Sequence, residues 1–141
     1  SYTPSIFLTV DVVLFRIKED REEVLLIQRL NEPFKNSWAL PGGFVDKGED
    51  LDVAAKRELL EETSIAIDDV KQIGAYGKPN RDPRGHTVSV AFFENVDYNT
   101  VAKASDDAKE VKWFSLEELP KLAFDHEQII QDAIIKNPFL Q

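Results

Sequence analysis

The stretch Gly43-Phe44-Val45-Asp46-Lys47-Gly48-Glu49-Asp50-Leu51-Asp52-Val53-Ala54-Ala55-Lys56-Arg57-Glu58-Leu59-Leu60-Glu61-Glu62-Thr63-Ser64-Ile65 decides how this sequence is read. From Asp50 to about Thr63 it lacks Gly and Pro and carries acids in its first turn, where the helix dipole favours them, so it predicts a helix. At 100° per residue, Glu58, Glu61 and Glu62 fall within an arc of about 100°. Like charges so close repel each other on a solvated helix. A solvated acidic face partly neutralised by Lys56 and Arg57 is the plain reading. Against it, Leu51, Ala54 and Ala55 share that side of the helix, so the carboxylates extend an apolar stripe. Three carboxylates beside buried apolar surface call for a cation, and a hard divalent ion prefers oxygen ligands.

Upstream of the helix, Pro41-Gly42-Gly43 predicts an abrupt break whose backbone can approach a ligand closely. Before it, the even positions Ile6, Leu8, Val10, Val12 and Leu14 predict a strand with one well-buried face. The charged residues 16–23 predict a turn, Val24–Ile27 a hairpin partner, 31–37 a loop and Trp38-Ala39-Leu40 a short strand. Downstream, strands are expected over Val70–Tyr76, Thr87–Phe93 and Val111–Phe114. Ser115-Leu116-Glu117-Glu118 has the pattern of a capping box and predicts a short helix near Leu119. Asp125, with Gln128 three residues on, predicts a last helix bearing Ile129, Ile130, Ala133 and Ile134. The strands and helices together predict an α/β fold, one mixed sheet covered on both faces.

The 141 residues suit one domain, 1–141, with enough apolar content to fill its own core. No Cys is present, which excludes disulfides and thiolate metal sites. A net charge of −9 argues against nucleic-acid or anionic-membrane binding by this domain. The longest apolar run is too short for a membrane span or a signal-peptide core, so a cytoplasmic protein is expected. Met is absent, so Ser1 is not expected to be the original start, and the gene is open to extension at either end. Against the acidic background, Lys78, Arg81 and Arg84 outnumber Asp82 in a Pro/Gly-rich strip, and Arg binds phosphate bidentately. A surface loop with solvated charges is the alternative reading of that strip.

Gly43, Glu49 and Arg57-Glu58-Leu59-Leu60-Glu61-Glu62-Thr63-Ser64-Ile65 stand at the spacing G-x5-E-x7-R-E-U-x-E-E-x-G-U, and the chain thereby resembles the Nudix family. One letter departs. Ser64 replaces the family's Gly at the helix end, where Ser takes the left-handed conformation less readily. The resemblance implies the Nudix α/β/α sandwich, with a mixed β-sheet between helices, and hydrolysis of a nucleoside diphosphate linked to another moiety. It implies Glu58, Glu61 and Glu62 as ligands of Mg²⁺ or Mn²⁺, with a carbonyl of Gly42 or Gly43 beside them. Glu61 and Glu62 would serve catalysis through the metal, and Arg57 would hold carboxylates in ligand geometry, with Glu49 supporting helix and loop. An acid in the segment Asp106–Glu110 would be the general base, with Glu110 as the candidate.

Residues Arg81–Val90 and Phe124-Asp125-His126 resemble the ADP-ribose pyrophosphatase branch of that family. This implies ADP-ribose as substrate, giving AMP and ribose 5-phosphate, with Arg81 and Arg84 on its phosphate or ribose oxygens. An aromatic among Phe34, Trp38 and Tyr76 would stack on adenine, although core packing is the commoner fate of such residues. His126, at a helix start, reads as structural. The same segments occur in transcription regulators that join a Nudix domain to a winged helix, so an excised ADP-ribose or sugar sensor is the second reading. Many relatives dimerise, which makes a homodimer an expectation of the resemblance alone.

Overall fold

Strand β1 (Phe7–Lys18) is buried on both faces from Thr9 to Phe15, and this dictates the layering. Val10, Val12 and Leu14 enter one core with Ala54, Ala55 and Leu59 of helix α1 (Leu51–Thr63). Val13 and Phe15 enter a second core with Ile129, Ile130 and Ala133 of helix α2 (His126–Lys136). The sheet is thus sandwiched, because a strand apolar at successive positions must be covered twice. These observations come from a computed structural model that describes residues 5–105 and 107–140.

The other strands are β2 (Arg21–Arg29), β3 (Trp38–Ala39), β4 (Gly42–Phe44), β5 (Lys71–Tyr76), β6 (Thr87–Val96) and β7 (Ala108–Ser115). The sheet runs β3-β2-β1-β6-β5, with β4 also paired to β1 and β7 to β2. Among the strands of the described residues, β1 and β6 are the pair that runs parallel, in a ladder from Phe7↔Thr87 to Arg16↔Val96. The remaining pairs are antiparallel, which makes the sheet mixed as expected. Among the described residues no helix is long and apolar enough to cross a membrane.

Four local expectations are corrected. First, β1 has two buried faces, and the even residues Ile6 and Leu8 at its start are half exposed. Second, the charged turn shrinks to Glu19-Asp20, because the hairpin ladder continues to Lys18↔Arg21. Arg16 stays in the strand by pairing with Glu23 at 2.6 Å and lying over the rings of Tyr98 and Trp113. Third, Gly42 and Gly43 form a strand against β1 instead of a simple break. Fourth, Ser115–Glu118 makes only a turn. Ser115 Oγ accepts from Glu117 N at 3.2 Å, but Pro120 disfavours helical geometry at Leu119 and the chain goes on extended.

Candidate functional site

Helix α1 begins where Asp50 caps Leu51 N at 2.8 Å. It ends at Ser64, which does take the left-handed conformation (φ 65°), with its N–H donated to Leu60 O and its hydroxyl to Lys103 O. The departure from Gly therefore does not spoil helix termination. Arg57 ties the helix to the loop before it. Its Nε and Nη2 donate to Glu49 at 2.6 and 2.9 Å, Nη2 also to Phe44 O, and Nη1 to Glu61 at 3.1 Å. Glu49 also accepts from Asp46 N, and these donors hold its carboxyl down to about 2.

Glu58, next to Arg57 and 3.5 Å from its Nη1, and Glu62, a turn further on, both reach β4. The Glu62 carboxylate accepts from Gly42 N at 2.8 Å. Glu58 lies so close to Gly43 that a Cβ there would overlap its carboxylate. Burial pushes Glu58 up to about 7, reinforced by Glu61 and Asp107. Burial pushes Glu62 up to about 8, reinforced by Glu58, Asp11 and Asp107. Two carboxyls so strained by burial and mutual repulsion are relieved by a proton or a cation. As they stand, no three His, Asp or Glu side chains among the described residues are gathered tightly enough to hold an ion, since Glu61 is turned to Arg57. The donor set is nonetheless all oxygen, the chemistry that suits Mg²⁺ or Mn²⁺.

Across β4 the floor is formed by Asp11 of β1. Its Oδ2 accepts from Ser89 Oγ at 2.5 Å and its Oδ1 lies 3.5 Å from His126 Nε2. The walls of the cleft bring Gly42, Gly43 and Glu62 together with Arg29, Arg81, Arg84, Phe44 and Phe124, in a space of about 590 Å³ counting its open mouth. One side is thus carboxylate and the other guanidinium, the division that a metal-bound polyphosphate needs.

The sequence-derived candidates separate into three groups. Glu58, Glu62 and Gly43 converge, with Arg57 and Glu61 one layer behind. Arg81 and Arg84 both face the cleft, but Arg81 is almost fully buried and pairs with Asp125 at 2.5 Å, while Arg84 pairs with the buried Asp82 at 2.8 Å. Phe34 packs on Phe124 at 4.8 Å and sits at the rim. Trp38 instead packs edge-on against Phe114 in the core under α2, and Tyr76 donates to Asp132 at 2.6 Å. Glu110 is exposed on β7 opposite Gln28 and is not brought to the cleft. Within its segment, Asp107 is the acid whose charge bears on Glu58 and Glu62; Asp106 lies outside the described residues.

Arg29 and Asp11 line the cleft without having been singled out in the sequence, and Phe124 was marked there only through the segment Phe124-Asp125-His126. Arg29 is the most informative. Its Nε donates to Pro33 O at 2.6 Å, its guanidinium lies 5.0 Å from the Phe124 ring, and among the described residues it forms no ion pair. Burial and the charge of Arg84 together lower its pKa. The signal available in sequence was a charged residue two places after the apolar run Val24–Ile27.

The two glycines of β4 give separable expectations. A Cβ on Gly42 would overlap the Val10 carbonyl oxygen and crowd the Asp11 backbone, atoms that cannot swing away. Gly42→Ala should therefore destabilise the fold by about 1–3 kcal/mol or more. A Cβ on Gly43 meets only the movable end of Glu58. Gly43→Ala should keep a near-normal thermal midpoint yet bind Mn²⁺ more weakly. Thermal unfolding and Mn²⁺ titration of both variants check this.

The profile of the NUDIX domain family matches residues 7–133. Among curated proteins, the chain is 47% identical over 127 residues to an ADP-ribose pyrophosphatase of Methanocaldococcus jannaschii, covering 90% of this chain and 75% of that protein. It is 39% identical over 137 residues to the ADPR responsive transcriptional repressor NtrR of Acinetobacter baylyi, covering 94% of this chain but only 55% of the repressor. Among solved structures, the NUDIX domain of Shewanella oneidensis NrtR complexed with ADP ribose superposes with a TM-score of 0.86 at 35% identity, covering 95% of this chain and 90% of that one.

Proposed function

The chain belongs to the Nudix family, and from that premise we propose that it hydrolyses ADP-ribose to AMP and ribose 5-phosphate with Mg²⁺ or Mn²⁺. The observation that carries the proposal is the opposition, across one cleft, of Glu62, with Glu58 beside it against Gly43, to Arg29, which among the described residues forms no ion pair. The likeness to a pyrophosphatase and to an ADP-ribose-bound domain supports the substrate.

Glu58, Glu62 and a carbonyl of β4 would hold the cation, with Glu61 joining once released from Arg57. A divalent ion bound there neutralises phosphate charge and lowers the pKa of an attacking water. The residues of the chain do the rest. Arg29 and Arg84 take the diphosphate oxygens, and Phe124 backs both guanidinium groups. Phe34 and Phe124 offer the apolar rim on which a base can lie. Water adds to one phosphorus, the bridging oxygen leaves with the other phosphate, and each product carries one phosphoryl group. Asp107, whose charge bears on Glu58 and Glu62, would accept the proton lost from water in preference to Glu110.

Steady-state hydrolysis of ADP-ribose with and without Mg²⁺ tests the proposal. Within it, Arg29→Gln should raise KM by about tenfold or more, since hydrogen bonds to charged groups are worth roughly 1.5–3 kcal/mol. An unchanged KM would remove Arg29 from the diphosphate site. A second reading, an ADP-ribose-binding sensor that does not turn over, is supported by the likeness to the repressor, of which this chain spans about half.

A further inference from the structure

The strip Leu40–Gly43 contacts both acids of the carboxylate pair; its end, Gly42 and Gly43, is laddered to β1, whereas Leu40 lies between strands β3 and β4. Trp38 and Ala39 pair with β2, Pro41 O accepts from Val12 N at 2.9 Å, and Gly42 pairs with Asp11. On the remaining edge the segment before α2 runs alongside. Leu122 bridges Trp38 in parallel, and Ala123 N donates to Trp38 O at 2.8 Å. There the backbone turns away into α2, and the next donor on the strip, Leu40 N–H, is left for a side chain. His126 Nδ1 accepts it at 2.9 Å, with both residues buried.

That bond fixes the ring. Nδ1 must be unprotonated to accept, so the proton sits on Nε2, which faces Asp11 Oδ1. The ring therefore links three parts of the cleft: the start of α2, the strip and the floor carboxylate. We propose that His126 is a positioning residue for the metal site. By accepting Leu40 N–H, it anchors the start of the strip from which Gly42 N–H holds Glu62 and Gly43 limits Glu58. This rests on the metal-dependent reading above. It goes beyond that reading by assigning to a histidine outside the Nudix box part of the geometry of the box carboxylates.

A histidine that merely filled space would tolerate any polar side chain of similar bulk. The acceptor role is more selective. In His126→Asn the amide oxygen can occupy the position of Nδ1, whereas in His126→Gln it lies one bond further on, towards Asp11. Mn²⁺ binding, read by electron paramagnetic resonance on the full chain, should stay close to the unmutated affinity in His126→Asn. In His126→Gln it should weaken by about tenfold or more, as loss of an outer-shell partner does. Amide hydrogen exchange at Leu40 should be slow in the first variant and fast in the second. Equal Mn²⁺ affinity in all three proteins, or equal loss in both folded variants, would overturn the inference. Failure of the unmutated protein to bind Mn²⁺ would overturn the metal reading and this inference together.

Discussion

Replacing Glu62 with Gln is expected to abolish turnover of ADP-ribose while the protein stays folded. The amide oxygen of Gln can still accept from Gly42 N–H, so the one hydrogen bond that anchors this side chain survives. What is lost is a negative charge facing Glu58 and Asp11 in a buried setting. Removal of an outer-shell partner of a metal costs about 10–100-fold in affinity or activity, and a ligand itself should cost more. Turnover measured over a wide range of Mg²⁺ checks this. Activity recovered at high Mg²⁺ would mean that Glu62 is not a ligand on which the reaction depends.

The same acids make the metal-free protein sensitive to pH in an unusual direction. Glu58 and Glu62 have folded pKa values of about 7 and about 8, above their ordinary 4.5. Between the two values the folded state holds protons that the unfolded state has released, so stability falls as pH rises. Below pH 6.5 the buried His126, whose pKa is lowered, acts in the opposite sense, because unfolding lets it charge. The effect of the acids is therefore read between pH 6.5 and about pH 8.5. For Glu62, the more buried of the pair, the loss across that window is on the order of 2 kcal/mol. Thermal midpoints in the presence of a chelator should fall by several degrees, and the fall should shrink in Glu62→Gln. Mg²⁺ affinity should rise over the same window, since the ion competes with those protons. A midpoint that rises with pH in the chelated protein would contradict the burial of these carboxyls.

The helix and its acids were legible because their cause is local. Asp50 caps, the Gly- and Pro-free run propagates, and the 100° step places Glu58 and Glu62 on the side of Ala54 and Ala55. The hairpin β1–β2 was legible from its apolar runs. What alternation along β1 hid was the second covering layer, since α2 follows more than a hundred residues later. Ser115–Glu118 failed because a capping pattern says how a helix starts and nothing about Pro120 stopping it.

The site divided along the same line. Arg81 and Arg29 are told apart by a partner distant in sequence: Asp125 forms an ion pair with Arg81, and among the described residues Arg29 forms none. Asp11 is brought beside Ser89 by the parallel pairing of β1 with β6, a long-range contact that alternation along β1 does not reveal. His126 read as a helix-start residue, and the donor it serves is 86 positions away. Trp38 reads as a stacking candidate by type alone, but Phe114 places it in the core.

The central claim, that this cleft splits the diphosphate of ADP-ribose, is tested most directly by product analysis of the purified protein with ADP-ribose and Mg²⁺. The account predicts AMP and ribose 5-phosphate in equal amounts, absent when the metal is chelated. ADP-ribose that binds in a calorimeter yet remains intact would contradict it and leave the domain a sensor.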